Sequence, residues 1–298
     1  MRVRSEHPAA NIRMHAVSRA SVARIGLYLC LGMAIVVFVM PAFGHAVAVW
    51  SVDEEFSYGF LILPLSLALI WWRRDALLAS SARGSWFGLL IALVAVALTL
   101  ISRRTGINAL AGIAVSPLLL GIAIYLWGWR TGRVLAFPIG FLIFGLGLYR
   151  GLLNSLGFTL QNMTAIGAGW AGYALGLGVE REGLVLQSAS FAFIVAEACS
   201  GMSSLLSLLA LAALWMYTTR GTLPGRAAVL LSVAPLVVLA NTARVTLVLV
   251  VASWLGQGAA LGFFHGASSF FLFGLAFGGL LLISRLVGCR VANFAPQF

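Results

Sequence analysis

From Ile25 to Leu286 the chain is a succession of apolar runs, most of them closed off by arginine. A helix needs about 20 apolar residues to cross the ~30 Å hydrocarbon core of a bilayer. Inside that core every backbone N–H and C=O must find a partner within the chain. Runs at 25–49, 56–72, 86–101, 107–128, 134–149, 203–219, 227–253 and 267–285 are of this order. With 61% hydrophobic and 9% charged residues and a mean hydropathy of +1.03, a soluble domain of 298 residues could not hide its apolar surface. The expected fold is therefore an all-α polytopic membrane protein with about eight transmembrane helices. An interfacial helical segment and a short β-ribbon on the outer face complete it.

Residues 1–24 hold five arginines and no apolar period, which predicts a disordered, basic cytoplasmic tail. Residues 25–286 read as a single transmembrane domain, and 287–298 as a C-terminal tail. Ala46-Val47-Ala48 mimics a signal-peptidase site, but the apolar run before it is too long for an h-region, so cleavage is not expected. Arginine sets the orientation, because cytoplasmic loops collect positive charge. With the N-terminus in the cytoplasm, Arg73, Arg74, Arg83, Arg130, Arg133, Arg220, Arg226, Arg285 and Arg290 join the tail on that side, 14 of the 19 arginines. Six of the eight carboxylates, Asp53, Glu54, Glu55, Glu180, Glu182 and Glu197, then fall outside. Arg103 and Arg104 break the pattern.

Residues 151–179 are apolar enough to touch lipid, but Asn154, Gln161 and Asn162 interrupt them and seven glycines weaken them. A crossing here would invert every arginine that follows. The segment is expected to be an interfacial helix with a re-entrant piece. After it, "GLVLQSASFAFIVAEAC" alternates like a two-stranded ribbon over 183–198, turning at Gln187 to Ser190.

All 19 basic residues are arginine. The absence of lysine excludes a Walker A site, a Ser-Lys dyad and a Schiff base. No HExxH or GxSxG occurs, and the only aspartates, Asp53 and Asp75, flank the runs rather than lie within them. The net charge of +11 is spread over short flanks, so no nucleic-acid partner is expected. Cys30, Cys199 and Cys289 suggest no disulfide framework. No metal or organic cofactor is implied.

Polar groups in or beside apolar spans are costly and mark candidate sites. Cys199, in "VAEACSGMSSLL", opens the sixth run; Arg244, in "LANTARVTL", lies within the seventh; His265, in "GFFHGASSF", precedes the eighth. Arg244 follows Ala227 by 17 residues, about 25 Å along a helix, which brings all three to one depth on the outer face. Asn241 shares a helix face with Arg244. A cysteine at a helix N-terminus gains from backbone N–H groups and the helix dipole. Ser200 and Ser203 can cap there, and Gly201 permits close approach of a substrate backbone. A histidine can take the thiol proton and return it to a leaving amine, and an arginine can hold a carboxylate or an oxyanion. Glu197 is a plausible support. Taken singly, each residue has a bland reading: a buried small thiol, a solvated histidine, an arginine that snorkels to the interface. Gly274 and Gly278 form a small-xxx-small pair that predicts helix packing.

"EACSG" before one span, "NTARV" inside the next and "FHG" at the start of the last resemble the exosortase/archaeosortase family, specifically its exosortase branch. So does "EEFSYGFLILPLSLALIWWRR" upstream, and the resemblance runs from about Leu27 to Leu286. It implies a membrane-embedded cysteine transpeptidase or protease of the bacterial inner membrane. Such an enzyme cleaves C-terminal, PEP-CTERM-type sorting signals of exported proteins at the periplasmic face. The implied partners are that signal, membrane lipid and an amine-bearing acceptor. Carried over, Cys199 matches the nucleophile, Arg244 the family arginine and His265 the third active-site residue. Ser203 stands where many members have arginine in Cys-Ser-Gly-x-Arg, and the extra C-terminal domain of some members is expected to be absent. The rival readings are a transporter for a lipid-linked or small anionic substrate, and a non-catalytic assembly factor for exopolysaccharide export.

Overall fold

The computed structural model describes residues 32–33, 35–53, 56–80, 83–146, 150–189, 191–195 and 200–291; for 150–155, 261, 263–270 and 291 it describes the backbone path. Its helices are α1 (Ile35–Val52), α2 (Gly59–Trp72), α3 (Arg74–Leu78), α4 (Trp86–Thr105), α5 (Asn108–Phe141), α6 (Ile143–Leu146) and α7 (Arg150–Ala174). Strands β1 (Glu180–Glu182), β2 (Val185–Ser188) and β3 (Phe191–Ile194) follow, then α8 (Met202–Thr218) and β4 (Thr219–Arg220). The chain closes with α9 (Leu223–Leu255), α10 (Gln257–Leu261), α11 (Phe263–Leu286) and β5 (Arg290–Val291). Among the described residues four stretches are long and apolar enough to cross a bilayer: Ile35–Val52, Trp86–Thr105, Asn108–Leu146 and Leu223–Leu255. Shorter apolar helices at Gly59–Trp72, Met202–Thr218 and Phe271–Leu286 accompany them, so the protein is an integral membrane protein.

The longest of these stretches is a helical hairpin. Gly128 has φ 81° and ψ −179°, a conformation essentially restricted to glycine. Residues equidistant from it are neighbours. The Ser116 hydroxyl donates to the Ile139 carbonyl at 2.9 Å, and a Cβ on Gly132 would stand 2.4 Å from Ile124 Cγ1. Among the described residues the seven stretches thus supply eight apolar helical segments, in keeping with the all-α polytopic fold expected from the sequence.

α4 lies against the first limb of the hairpin at backbone contact. A Cβ on Gly88 would stand 2.2 Å from the Tyr125 nitrogen, and one on Gly121 2.7 Å from the Ala92 nitrogen. Such approach is how membrane helices pack when lipid offers no hydrophobic drive between them. The second limb is tied to α1 and α2 through carbonyls that the helix itself leaves open. Leu142 N–H bonds to Ile139 O rather than to Pro138 O, and the Ser66 hydroxyl takes the vacated Pro138 carbonyl at 2.7 Å. At the end of α6 the Tyr58 hydroxyl donates to Phe144 O and the Trp50 indole N–H to Gly145 O, both at 3.0 Å. Orphaned carbonyls at a helix terminus are thereby satisfied without water.

One end of the bundle gathers arginine. Arg73 Nε donates to the Tyr217 hydroxyl at 2.9 Å, and Phe137 stacks on the Tyr217 ring at 3.9 Å between centroids. Arg226 donates to Met216 O and Thr219 O at 2.6 and 2.8 Å, placing a cation at the C-terminus of α8. The chain does not leave the bundle at Leu286: Cys289 is buried, and β5 pairs antiparallel with β4. Arg103, one of the two arginines outside the charge pattern, lies at the other end with its guanidinium 5.5 Å from the Phe38 ring centroid.

The opposite end departs from the sequence reading in three ways. Residues 150–174 form one unbroken helix, α7, with no re-entrant piece. Its polar residues do not break it, because Gln161 and Thr164 bond to neighbouring elements. The ribbon has three strands in the order β1-β2-β3, not two, because Gly183 at φ 62° turns Glu180–Glu182 back onto Val185–Gln187. Gly274 and Gly278 pack against nothing: a Cβ on either meets no atom within 4 Å, whereas one on Gly279 would stand 2.9 Å from Leu236 Cδ2. The face of α11 that meets α9 is offset from the small-residue pair. α9 has 33 residues, about 50 Å, against ~30 Å of hydrocarbon. Its last turns join Ala165, Ala168, Leu186, Phe191 and Val195 in a separate core under the sheet.

Gly128→Ala should lower stability by about 1–3 kcal/mol. Its Cβ would also stand 2.1 Å from the Arg83 carbonyl. Gly140→Ala, where a Cβ meets nothing within 4 Å, should leave stability unchanged. Thermal unfolding in detergent checks both.

Candidate active site

The sharpest irregularity beside the bundle core is the turn that starts α8. Ser200 is buried, and its hydroxyl accepts the Met202 N–H at 3.2 Å. Gly201 is the N-cap, with φ 82° and ψ 11°, and its carbonyl accepts from Leu205 N–H at 2.8 Å. The left-handed conformation favours glycine for lack of a Cβ. So does space: a Cβ there would stand 3.3 Å from Asn241 Cγ and Nδ2 and from Val237 Cγ1. Neither serine expected to cap is the N-cap: Ser200 precedes Gly201 and accepts from Met202 N–H, while Ser203 lies within the first helical turn.

Asn241 is the residue against which this turn sits. It is 6% exposed, and its Nδ2 donates to Thr164 Oγ1 at 3.0 Å. One turn along α9, Arg244 lines a small open cleft together with Ser204, Asn241, Leu272, Phe273 and Ala276. The cleft therefore lies between the first turn of α8, the middle of α9 and α11.

His265 lies in the first turn of α11. It precedes Leu272 and Ala276 by two and three turns, so its backbone register falls on the stripe of α11 that lines the cleft. The contact of Gly279 with Leu236 sets the level of the two antiparallel helices. Counting along each from that contact, Arg244 is level with Phe271, and His265 stands about 9 Å beyond, toward the sheet end. Helix length alone put the three residues at one depth. The register instead puts Arg244 at the level of the α8 turn and His265 further out. Cys199 and Glu197 lie outside the described residues. Their flanks do not: Val195 donates its N–H to Leu184 O at 2.9 Å and accepts at its carbonyl from Gln161 Nε2.

Gln161, Thr164 and Ser204 were not among the candidate residues. A signal for the first two exists, since polar residues three apart share one face of an apolar helix. Gly201→Ala should cost about 1–2 kcal/mol from its backbone conformation alone. The variant is expected to unfold earlier in detergent than wild type, and unchanged melting would contradict the close seating on Asn241.

Residues 50–282, more than three quarters of the chain, match the family described as Transmembrane exosortase (Exosortase_EpsH). No curated protein and no solved structure matches the chain significantly. A match of this extent covers the apolar segments from α2 through α9 and most of α11, with the turn at Gly201, Asn241, Arg244 and His265. The chain belongs to the transmembrane exosortase family.

Proposed function

We propose that this protein is a cysteine transpeptidase or protease of the bacterial inner membrane that cleaves PEP-CTERM-type C-terminal sorting signals from exported proteins at the periplasmic face. The observation that supports it is the glycine turn at the start of α8, seated on Asn241 with Arg244 one turn away in a cleft. In this mechanism the Cys199 thiolate attacks the carbonyl carbon of the scissile peptide bond. The C–N bond breaks, an acyl thioester forms on Cys199, and the leaving amine takes a proton from His265. Water or an amine acceptor then attacks the thioester and gives its proton to His265, the C–S bond breaks, and the Cys199 thiolate is restored. Arg244 holds the substrate carboxylate or the oxyanion as charge develops. Ser200, Gly201 and Asn241 shape the turn that presents the nucleophile, and Glu197 supports it.

A transporter would need a polar path from one face to the other. The cleft instead groups its polar residues, Ser204, Asn241 and Arg244, at one level of the helices.

Cys199→Ala, present in the membrane at the normal level, should reduce processing of a co-expressed signal-bearing protein to background, read as a gel shift. Arg244→Lys keeps the charge but loses the planar donors, and should lower the processing rate on the order of 10²–10³-fold. Full processing by Cys199→Ala would return the assembly-factor reading to the front. For orientation, alkaline phosphatase fused after Ser188 should be active and fused after Arg226 inactive; the reverse pattern overturns the periplasmic placement.

A further inference from the structure

One stripe of α7 meets Val195, Met202 and Asn241. Gly157, Leu160, Gln161, Thr164 and Ala168 recur at the three- and four-residue spacing of a single helix face. A Cβ on Gly157 would stand 3.5 Å from Met202 Cε, and Leu160 shares a core with Met202. Thr164 accepts from Asn241, and Ala168 shares the core under the sheet with Val195. Between them, Gln161 donates its amide N–H to the Val195 carbonyl.

That carbonyl is special in the ladder. β3 ends at Ile194, so beyond it the carbonyl of Val195 must find a partner elsewhere. The Val195 N–H is held by Leu184 O from the sheet side, and its C=O by Gln161 from α7. Ser200, on the far side, is buried with its hydroxyl bonded to Met202 N–H. Val195 and Ser200, the described residues on either side of 196–199, are thus both held, and Gln161 is the side-chain hold on Val195.

We propose that Gln161 is a positioning residue: its amide holds the Val195 carbonyl, four residues before Cys199 in the sequence, and this hold sets how the nucleophile meets its substrate. The proposal rests on the reading of Cys199 as nucleophile. Gln161 acts through the backbone and not on substrate, so its loss slows the chemical step and leaves binding alone. A misplacement of about 1 Å at a reacting group is worth on the order of 10²-fold in rate.

The test uses full-length protein in membranes and an exported protein bearing a C-terminal motif, an apolar span and a basic tail. Initial rates of processing against substrate level give kcat and KM for wild type, Gln161→Ala and Gln161→Glu. The last keeps the shape of the side chain but, when ionised, has no N–H to donate. N-ethylmaleimide labelling of the buried Cys289, read by peptide mass spectrometry, reports whether the fold has opened. Both variants should lose roughly ten- to hundredfold in kcat at unchanged KM, with Cys289 protected as in wild type. Wild-type kcat in either variant with Cys289 protected overturns the proposal. Loss of processing with Cys289 labelled in both variants also overturns it, because Gln161 would then be a residue of the fold. If Cys199→Ala still processes substrate, the nucleophile reading fails and takes this role with it. Processing lost in Cys199→Ala but intact in Gln161→Glu sinks the positioning role alone.

Discussion

Asn241 is a carboxamide buried among three helices, and the geometry of the site depends on how it is held. Thr164 on α7 takes its Nδ2–H, and the turn at Gly201 lies against its amide face. In a low-dielectric interior a polar group persists only with partners, and partnered ones hold a unique arrangement firmly. The same constraint governs the backbone. An irregular turn beside an apolar span is tolerated only where protein covers it. α7 provides that cover, and Gly201 is the residue that fits between it and α9.

Among the described residues three apolar cores bear on the site: the bundle core, one under the sheet, and one that joins α8, α9 and α11. The bundle core joins α1, α2, α4 and the α5–α6 hairpin, with the first turns of α8 added at Met202 and Leu206. The second core is small and joins α7, the sheet, α10 and the last turns of α9. α9 is common to both ends, and Asn241 and Arg244 lie on it between the two. This places the candidate chemistry where a rigid bundle meets a compact cap. Rigid elements hold catalytic groups more reproducibly than loops do.

The apolar segments were legible because lipid allows few alternatives: a run of the right length bounded by arginine has one economical structure. The break at Gly128 was legible only as a loop between Arg130, Arg133 and the preceding run; its conformation was not. In the sequence Asn154, Gln161 and Asn162 look like breaks in α7; the structure gives Gln161 a partner in the Val195 carbonyl. β1 was missed because Glu180-Arg181-Glu182 has no apolar alternation, and its pairing comes from the turn at Gly183. In the candidate site, Cys199, Arg244 and His265 stood out by rarity in an apolar chain. Gln161 and Thr164 did not, since each takes its meaning from a partner, Val195 or Asn241, that is 34 or 77 residues away.

The central claim is that Cys199 carries the substrate as a thioester. Membranes containing the protein and a signal-bearing substrate, quenched during turnover and resolved under denaturing conditions, test it directly. The mechanism predicts a covalent adduct of enzyme and substrate that neutral hydroxylamine cleaves and that peptide mass spectrometry places on Cys199. Processing that proceeds with no hydroxylamine-labile adduct, or with an adduct on another residue, would contradict it.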